Sequence, residues 1–494
     1  MKPAFLILAL ALTAAQAETL PTFSLDNSEE KQDQFYQREE IPTPEDIVLE
    51  ASGITILPDQ KVAVSSRRGD IWICEGAYGE DLSKVSWTLY ASGLHEPLGI
   101  SYHEGSIYAT TRQEITKLSD LDGDGKADRF DTVNDNWGIK GDYHEYNFGS
   151  DPDKDGNIWV VHCLTGSSSA KSDWRGWAFR YSIDGKEAIP TASGIRSPGG
   201  IGFNHLGDCF YTDNQGLWNG SSSLKWLKPG SFQGNPSGNK YHTLANLPKP
   251  PQPNDNSTYQ KEYERDNRIQ RPAVILPHGT LGQSPTGIIY DNTDGQFGPF
   301  TEQLFIGEQT HSEVQRIFLE KVKGQYQGAA WKFLSGFKSG LVPIKLGEDA
   351  TLFAGGTNRG WGSKGGKTFT FERVKWNGKT PFEMHEVKLT KNGFLISFTE
   401  PLKGDAANNI QNYSMKAYTY QYRSKYGSEG LIDEYIPKVT NAVLSSDKKS
   451  VEISVDKRTE GHVHHISLSD AILSESDQTL WHKDVYYTLN EFID

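Results

Sequence analysis

The chain has 494 residues and a formal net charge of −14, with 64 acidic against 50 basic residues, which argues against nucleic acid or an anionic membrane surface as a partner. It carries 49 glycines and 11% aromatics and no long run of helical periodicity, so the composition describes an all-β protein with many turns. Three cysteines permit at most one disulfide; Cys74, Cys163 and Cys209 each stand in an apolar strand-like run and read as buried free thiols, and no Cys-x-x-Cys-His is present for covalent haem.

Residues 1–17 read as a secretory signal peptide. Lys2 supplies the positive charge, residues 5–12 the apolar run, and Ala15, Gln16 and Ala17 the cleavage site. The run is too short to span a bilayer, and no later segment is long and apolar enough, so the expected location is periplasmic or secreted with no membrane span. Residues 18–43 form a polar, acidic N-terminal arm. A repeat then begins. Short apolar strands follow a Gly- or Asp-bearing turn at residues 61–64, 106–109, 157–160, 208–211, 303–306 and 351–354. Their first apolar residues are Val62, Ile107, Ile158, Cys209, Leu304 and Leu352, at intervals of 45, 51, 51, 95 and 48. A period near 50 with several strands per unit is the signature of a β-propeller. Residues 44–378 are therefore read as six blades. The interval of 95 leaves room for a seventh, but residues 235–271 are rich in Pro, Asn, Lys and Glu with almost no strand pattern, and read as an inserted loop.

Residues 379–494 change texture to alternating strands and read as a small Ig-like β-sandwich, expected to fold as a separate unit packed on the propeller. Tyr418, Tyr420 and Tyr422 share one strand face. Such a stripe is core or domain interface more often than a carbohydrate-stacking platform. His462 and His464 share another face; a metal pair there is the weaker reading.

The sharpest local pattern runs from Asp120 to Asp131. Asp120, Asp122, Asp124, Asp128 and Asp131 fall at relative positions 1, 3, 5, 9 and 12, with Gly125 at 6 and Lys126 at 7, as in a calcium loop. The expectation is a structural Ca2+ site; the plain alternative is a solvated acidic turn. Asp131 is shorter than the usual Glu at position 12.

Asp142, Tyr143, His144 and Glu145 form a titratable cluster on a loop leading into a hairpin whose turn is at residues 154–157. An imidazole can accept a hydroxyl proton near neutral pH, and the two flanking carboxylates are close enough in sequence to orient it. Arg196 precedes the next such strand, and Asp213, Asn214, Gln215 and Gly216 follow its partner. His311, with Arg316, and Arg359 stand in similar Gly-rich turns. In a propeller, blade loops converge on the central axis, so these residues can meet.

The run from His144 to Trp159 and the run from Gly194 to Phe203 resemble the soluble pyrroloquinoline-quinone (PQQ)-dependent sugar dehydrogenases. The runs 122–130, 211–216, 227–232 and 355–362 resemble a planctomycete and verrucomicrobial branch often called membrane-bound-dehydrogenase-like. The resemblance covers about residues 50 to 376. It implies a six-bladed periplasmic propeller oxidising a carbohydrate or polyol. His144 would be the base and Arg196 would contact quinone and substrate. Asp213, Gln215, Gly216, His311 and Arg359 would lie by the quinone, and a separate cytochrome would accept electrons. The resemblance also implies a calcium beside the quinone, held partly by a carboxylate in the loop at residues 215–223, which here has none; His311 stands where the family has a lysine. A quinone-free propeller that binds or cleaves glycans is the alternative.

Overall fold

The computed structural model describes residues 29–493; the expected signal peptide at 1–17 and the part of the arm at 18–28 lie outside the described residues. The building unit is the antiparallel hairpin, and Asn147–Pro152 with Asn157–His162 shows how the sequence makes one. Asp153 Oδ1 accepts the amides of Asp155 and Asn157, each at 2.9 Å, while Oδ2 accepts Trp159 Nε1 at 2.7 Å. Gly156 takes φ +77°, which a side chain would disfavour.

Each of the six expected strand runs is the second strand of a four-stranded unit. The first strands of those units are Ala51–Leu57, Ile100–His103, Asn147–Pro152, Pro198–Phe203, Pro285–Tyr290 and Leu341–Leu346. Each first strand packs against the next, and the last packs against the first, closing a ring. Glycine permits this approach: a Cβ on Gly99 would lie 2.4 Å from the Gly149 carbonyl oxygen, and one on Gly199 2.1 Å from that of Pro285. The polar arm takes part in the closure. Tyr36–Glu40 pairs with Phe369–Trp376 as the outermost strand of the sixth unit, Tyr36 opposite Trp376. The fourth unit ends in the two-residue strand Val274–Ile275, after the 235–271 insertion. That insertion carries a 3-10 stretch at Pro236–Ala245 and a helix at Tyr259–Arg265. Among the described residues no helix is long and apolar enough to cross a membrane.

The C-terminal strands are joined to the ring more intimately than a separately packed unit. Asp484–Leu489 pairs with Gln325–Leu334, the outer strand of the fifth unit, and the sheet continues through His462–Leu468, Tyr413–Tyr420 and Leu431–Tyr435. An unpaired outer strand offers free backbone groups, and here a neighbouring strand of the same chain satisfies them. A second sheet of Met384–Leu389, Gly393–Phe398, Ser450–Val455 and Val439–Leu444 accompanies it, and Trp331, Phe394, Ile453, Val485 and Tyr487 share one core. The tyrosine stripe belongs to the junction. Tyr418 packs with Phe210 and Leu224 of the fourth unit, and Tyr422 stacks on Tyr259 of the insertion at 4.5 Å. His464 is buried with its pKa driven down to about 3, mainly by desolvation. The three cysteines are free and buried, and burial raises the Cys74 thiol to about 12.

Candidate active site

In every unit the first strand begins, and the second strand ends, at the same mouth of the ring. Side chains just before a first strand and just after a second strand therefore converge. They enclose a cavity of about 530 Å3. A smaller space of about 190 Å3 lies toward the other mouth, where Lys345 pairs with Asp151. Leu98, Phe148, Gly199 and Val342 line both spaces and separate them.

His144 lines the large cavity. Its loop is fixed from behind. Asp142 Oδ1 accepts the His144 amide at 2.9 Å and the Gly166 amide at 2.9 Å. Arg112 donates to the carbonyls of Asp142 and Tyr143, each at 2.6 Å. Glu96 joins Arg112, at 2.5 Å, to Arg67, at 3.0 Å from Nε. Glu145 turns away from the imidazole and accepts Thr165 Oγ1 at 2.6 Å and the Lys140 amide at 2.6 Å. Both flanking acids thus hold the loop and neither grips the ring. Among the described residues the ring nitrogens of His144 have no hydrogen-bond partner; the ring meets Tyr143, Trp361 and Tyr146 at 5.0, 5.3 and 5.9 Å. Desolvation lowers its pKa below 6.5, with the charges of Arg196, Arg112 and Arg67 adding and Asp142 opposing. The imidazole is neutral at pH 7, with a lone pair free for a ligand.

Arg196 also lines the cavity and is 5% exposed. Nη1 donates to the carbonyls of Gln215 at 2.7 Å and Asn214 at 3.2 Å. Gly216 makes room for it, since a Cβ there would lie 1.9 Å from Cζ. Gln215 and Arg359 line the cavity; Arg359 Nη1 lies 3.4 Å from Glu50.

Three residues expected beside a cofactor, Asp213, Gly216 and His311, are not among those lining the cavity; Gly216 lies against the Arg196 guanidinium instead. Asp213 is buried behind the Arg196 loop, where Oδ1 accepts the Ser197 amide at 3.0 Å and Oδ2 pairs with Lys225 at 3.0 Å. His311 is held by Glu313 at 3.7 Å and Glu308 at 3.8 Å; its bond to Glu313 chiefly raises its pKa, against burial. The acidic loop lies elsewhere, between the third and fourth strands of the second unit, so antiparallel alternation puts it on the face away from the cavity. Asp120, Asp122 and Asp124 bring carboxylate oxygens within 4.8 Å of one another. Asp128 instead caps the Leu121 amide at 2.7 Å, the Lys126 amide is capped by Asp124 at 2.9 Å, and Asp131 pairs with Arg129 at 2.7 Å.

Sequence reasoning missed Arg67, His278, Trp361 and Tyr426, which line the cavity too. Arg67 follows the second strand of its unit, the rule that singles out Gln215 and Arg359, and could have been found by it. Tyr426 could not: it arrives from the C-terminal strands, where the Gly427 amide donates to the Gly216 carbonyl at 3.0 Å and the Tyr426 ring sits 5.3 Å from the Arg196 guanidinium.

Among solved structures, a glucose dehydrogenase matches with a TM-score of 0.50 at 14% identity, over 69% of this chain and 99% of its own, and shows a shared fold. An oxidoreductase described as a glucose dehydrogenase from Thermus thermophilus matches at 19% identity, TM-score 0.49, over 69% and 99%. The PQQ-bound aldose sugar dehydrogenase of Streptomyces coelicolor matches at 16% identity, TM-score 0.48, over 69% and 98%. No curated protein matches. Residues 64–346, more than half of the chain, match the family described as "Domain of unknown function (DUF7133)", and the protein belongs to that family.

Proposed function

We propose that the chain is a sugar or polyol dehydrogenase-like oxidoreductase, a six-bladed propeller with an Ig-like C-terminal sandwich, on the planctomycete and verrucomicrobial branch its motifs resemble. It acts in the periplasm or outside the cell, a location that rests on the leader expected at 1–17. The observation that carries this reading is the His144 ring: neutral, unpartnered and facing a cavity beside Arg196 and the aromatic residues Trp361 and Tyr426. A sugar ring stacks on such aromatics through its apolar face. His144 takes the proton of the reacting hydroxyl, and Arg196 stabilises the developing oxyanion.

The motif resemblance implies a quinone and a calcium, and the two fit differently. Gln215, Arg67 and Arg359 line the cavity and suit the carboxylates of pyrroloquinoline quinone, which they would hold. When bound, the quinone supplies the two-electron acceptor, and a separate cytochrome would drain it. A calcium beside the quinone does not fit: among the described residues no Asp or Glu lines the cavity, and a hard cation needs anionic oxygens. Calcium belongs instead to Asp120, Asp122 and Asp124, as a structural ion. The missing carboxylates favour a second reading, a quinone-free glycan-binding propeller. They weigh against hydrolysis, which ordinarily uses a pair of carboxylates across the scissile bond.

The test adds quinone and calcium to the purified protein and screens sugars and polyols for reduction of an artificial acceptor. Turnover that falls by roughly 10²–10⁴ in His144→Ala is the expected result. No acceptor reduction with any sugar would remove the oxidoreductase and leave the binding protein.

A further inference from the structure

We infer that the ring bound in this cavity carries a carboxylate, so that the ligand is an acidic sugar, a uronate, with its acid group on Arg196. The inference rests on the reading of the cavity as a carbohydrate site and narrows its ligand class.

The lining residues include Arg67, Arg196 and Arg359 with His144 and His278, and no Asp or Glu. Two of the three arginines have counterions of their own. Arg67 is paired with Glu96 at 2.5 Å, and Arg359 with Glu50 at 3.4 Å. Arg196 has none. Its partners are two backbone carbonyls and the Tyr426 ring, and its Nε has no hydrogen-bond partner. Asp213, which accepts the amide of Ser197 beside Arg196, is committed to that amide and to Lys225. A guanidinium that is 5% exposed and lacks an anion is unfavourable on its own. The protein nonetheless builds a seat for it, with the bare Gly216 against the guanidinium and the C-terminal loop at Tyr426 beside it.

A ligand carboxylate completes that seat. It neutralises the charge, and its two oxygens match the planar fork of an arginine. A neutral aldose offers only hydroxyl dipoles and leaves the guanidinium uncompensated. Trp361 and Tyr426 supply apolar faces for the ring that bears the acid. His144 stands at the same wall, free to meet a hydroxyl of that ring.

The test titrates the full chain by calorimetry with glucuronate and galacturonate and with the neutral probes glucuronamide, glucose and galactose, with and without added quinone. A uronate is expected to bind about 10- to 100-fold more tightly than its neutral twin, the range of a charge-assisted hydrogen bond. Arg196→Gln should erase that preference, bringing each uronate to the affinity of its neutral twin. Should Arg196→Gln not fold, the comparison of glucuronate with glucuronamide on the unaltered protein still decides. Glucose or galactose bound as tightly as its uronate would overturn the inference and leave the carbohydrate site standing. No binding of any of the five probes, with or without quinone, would overturn the site and the inference together.

Discussion

Asp213 looks like a site residue in the sequence and behaves as a buried support in the structure, and the two roles predict opposite experiments. Asp213 and Lys225 side chains are each 1% exposed and lie 3.0 Å apart. Lys225 Nζ also donates to the Gln233 carbonyl at 2.9 Å and the Tyr259 hydroxyl at 3.0 Å. Asp213→Asn removes the counter-charge while leaving the ammonium buried among neutral acceptors. Removing one partner of such a pair costs about 3–5 kcal/mol. Asp213→Asn with Lys225→Met removes both charges, and the remaining cost is an orphaned carbonyl and phenol, about 1–2 kcal/mol. The double variant should therefore be more stable than Asp213→Asn alone. Urea unfolding followed by tryptophan fluorescence measures the cycle, and the coupling should exceed about 1 kcal/mol. Burial opposes the charge on Lys225 and Asp213 favours it, and the ammonium ends above its ordinary pKa. The stability the pair contributes is then complete below the ordinary lysine pKa and is lost only as pH climbs through the raised value. Asp213→Asn that costs less than about 1 kcal/mol yet abolishes ligand binding would refute the reasoning and return Asp213 to the site.

With its pKa held below 6.5, His144 should give turnover an acid limb below that value, and Asp142→Asn should move the limb lower still, because Asp142 favours the imidazolium; a limb at or above 6.5 in the kcat/KM profile would contradict this. If Asp120, Asp122 and Asp124 hold calcium, a chelator should lower the Tm and Asp122→Ala with Asp124→Ala should abolish the response, because an ion bound only to the native state stabilises it; melting curves that coincide with and without chelator would mark the loop as merely solvated. A chain ending at Lys379 should aggregate, because it bares the outer edge of Gln325–Leu334 together with Phe318 and Trp331; a soluble monomer with an unchanged Tm would show that the C-terminal strands are dispensable.

The ring was legible because it is written as a repeat. One apolar strand per unit recurs with a turn ahead of it, and each of those runs became a second strand. The ends of those strands were legible for the same reason, which is why His144, Arg196, Gln215 and Arg359 were found together. What a sequence position does not show is whether a charge is already spent. Asp213 and His311 stand at the right strand ends, but Lys225 and Glu313 from neighbouring strands, and Glu308 at the end of the strand before His311, already engage them. Glu145 is beside His144 in the chain and is taken by Thr165, while Glu96, far upstream, props the loop through Arg112.

The same distinction explains why the character of the cavity differs from that of the chain. A protein with a net charge of −14 would ordinarily repel an acidic ligand at long range. At contact distance, however, the acids around this mouth are engaged: Glu96 with Arg67 and Arg112, Glu50 with Arg68 and Arg359, Asp213 with Lys225. Among the described residues, Arg196 alone of the lining arginines is left without such a partner, and no lining residue is acidic. Field at a distance and charge at contact thus have opposite signs. An anion would approach slowly, more so at low ionic strength, and be held once inside. Added salt should therefore raise the association rate of a uronate while changing its dissociation rate little, because salt screens the outer field and barely reaches a buried contact. Stopped-flow measurement at two salt concentrations separates the two rates. An association rate that falls with salt would mean that the local positive field reaches past the mouth and dominates the encounter.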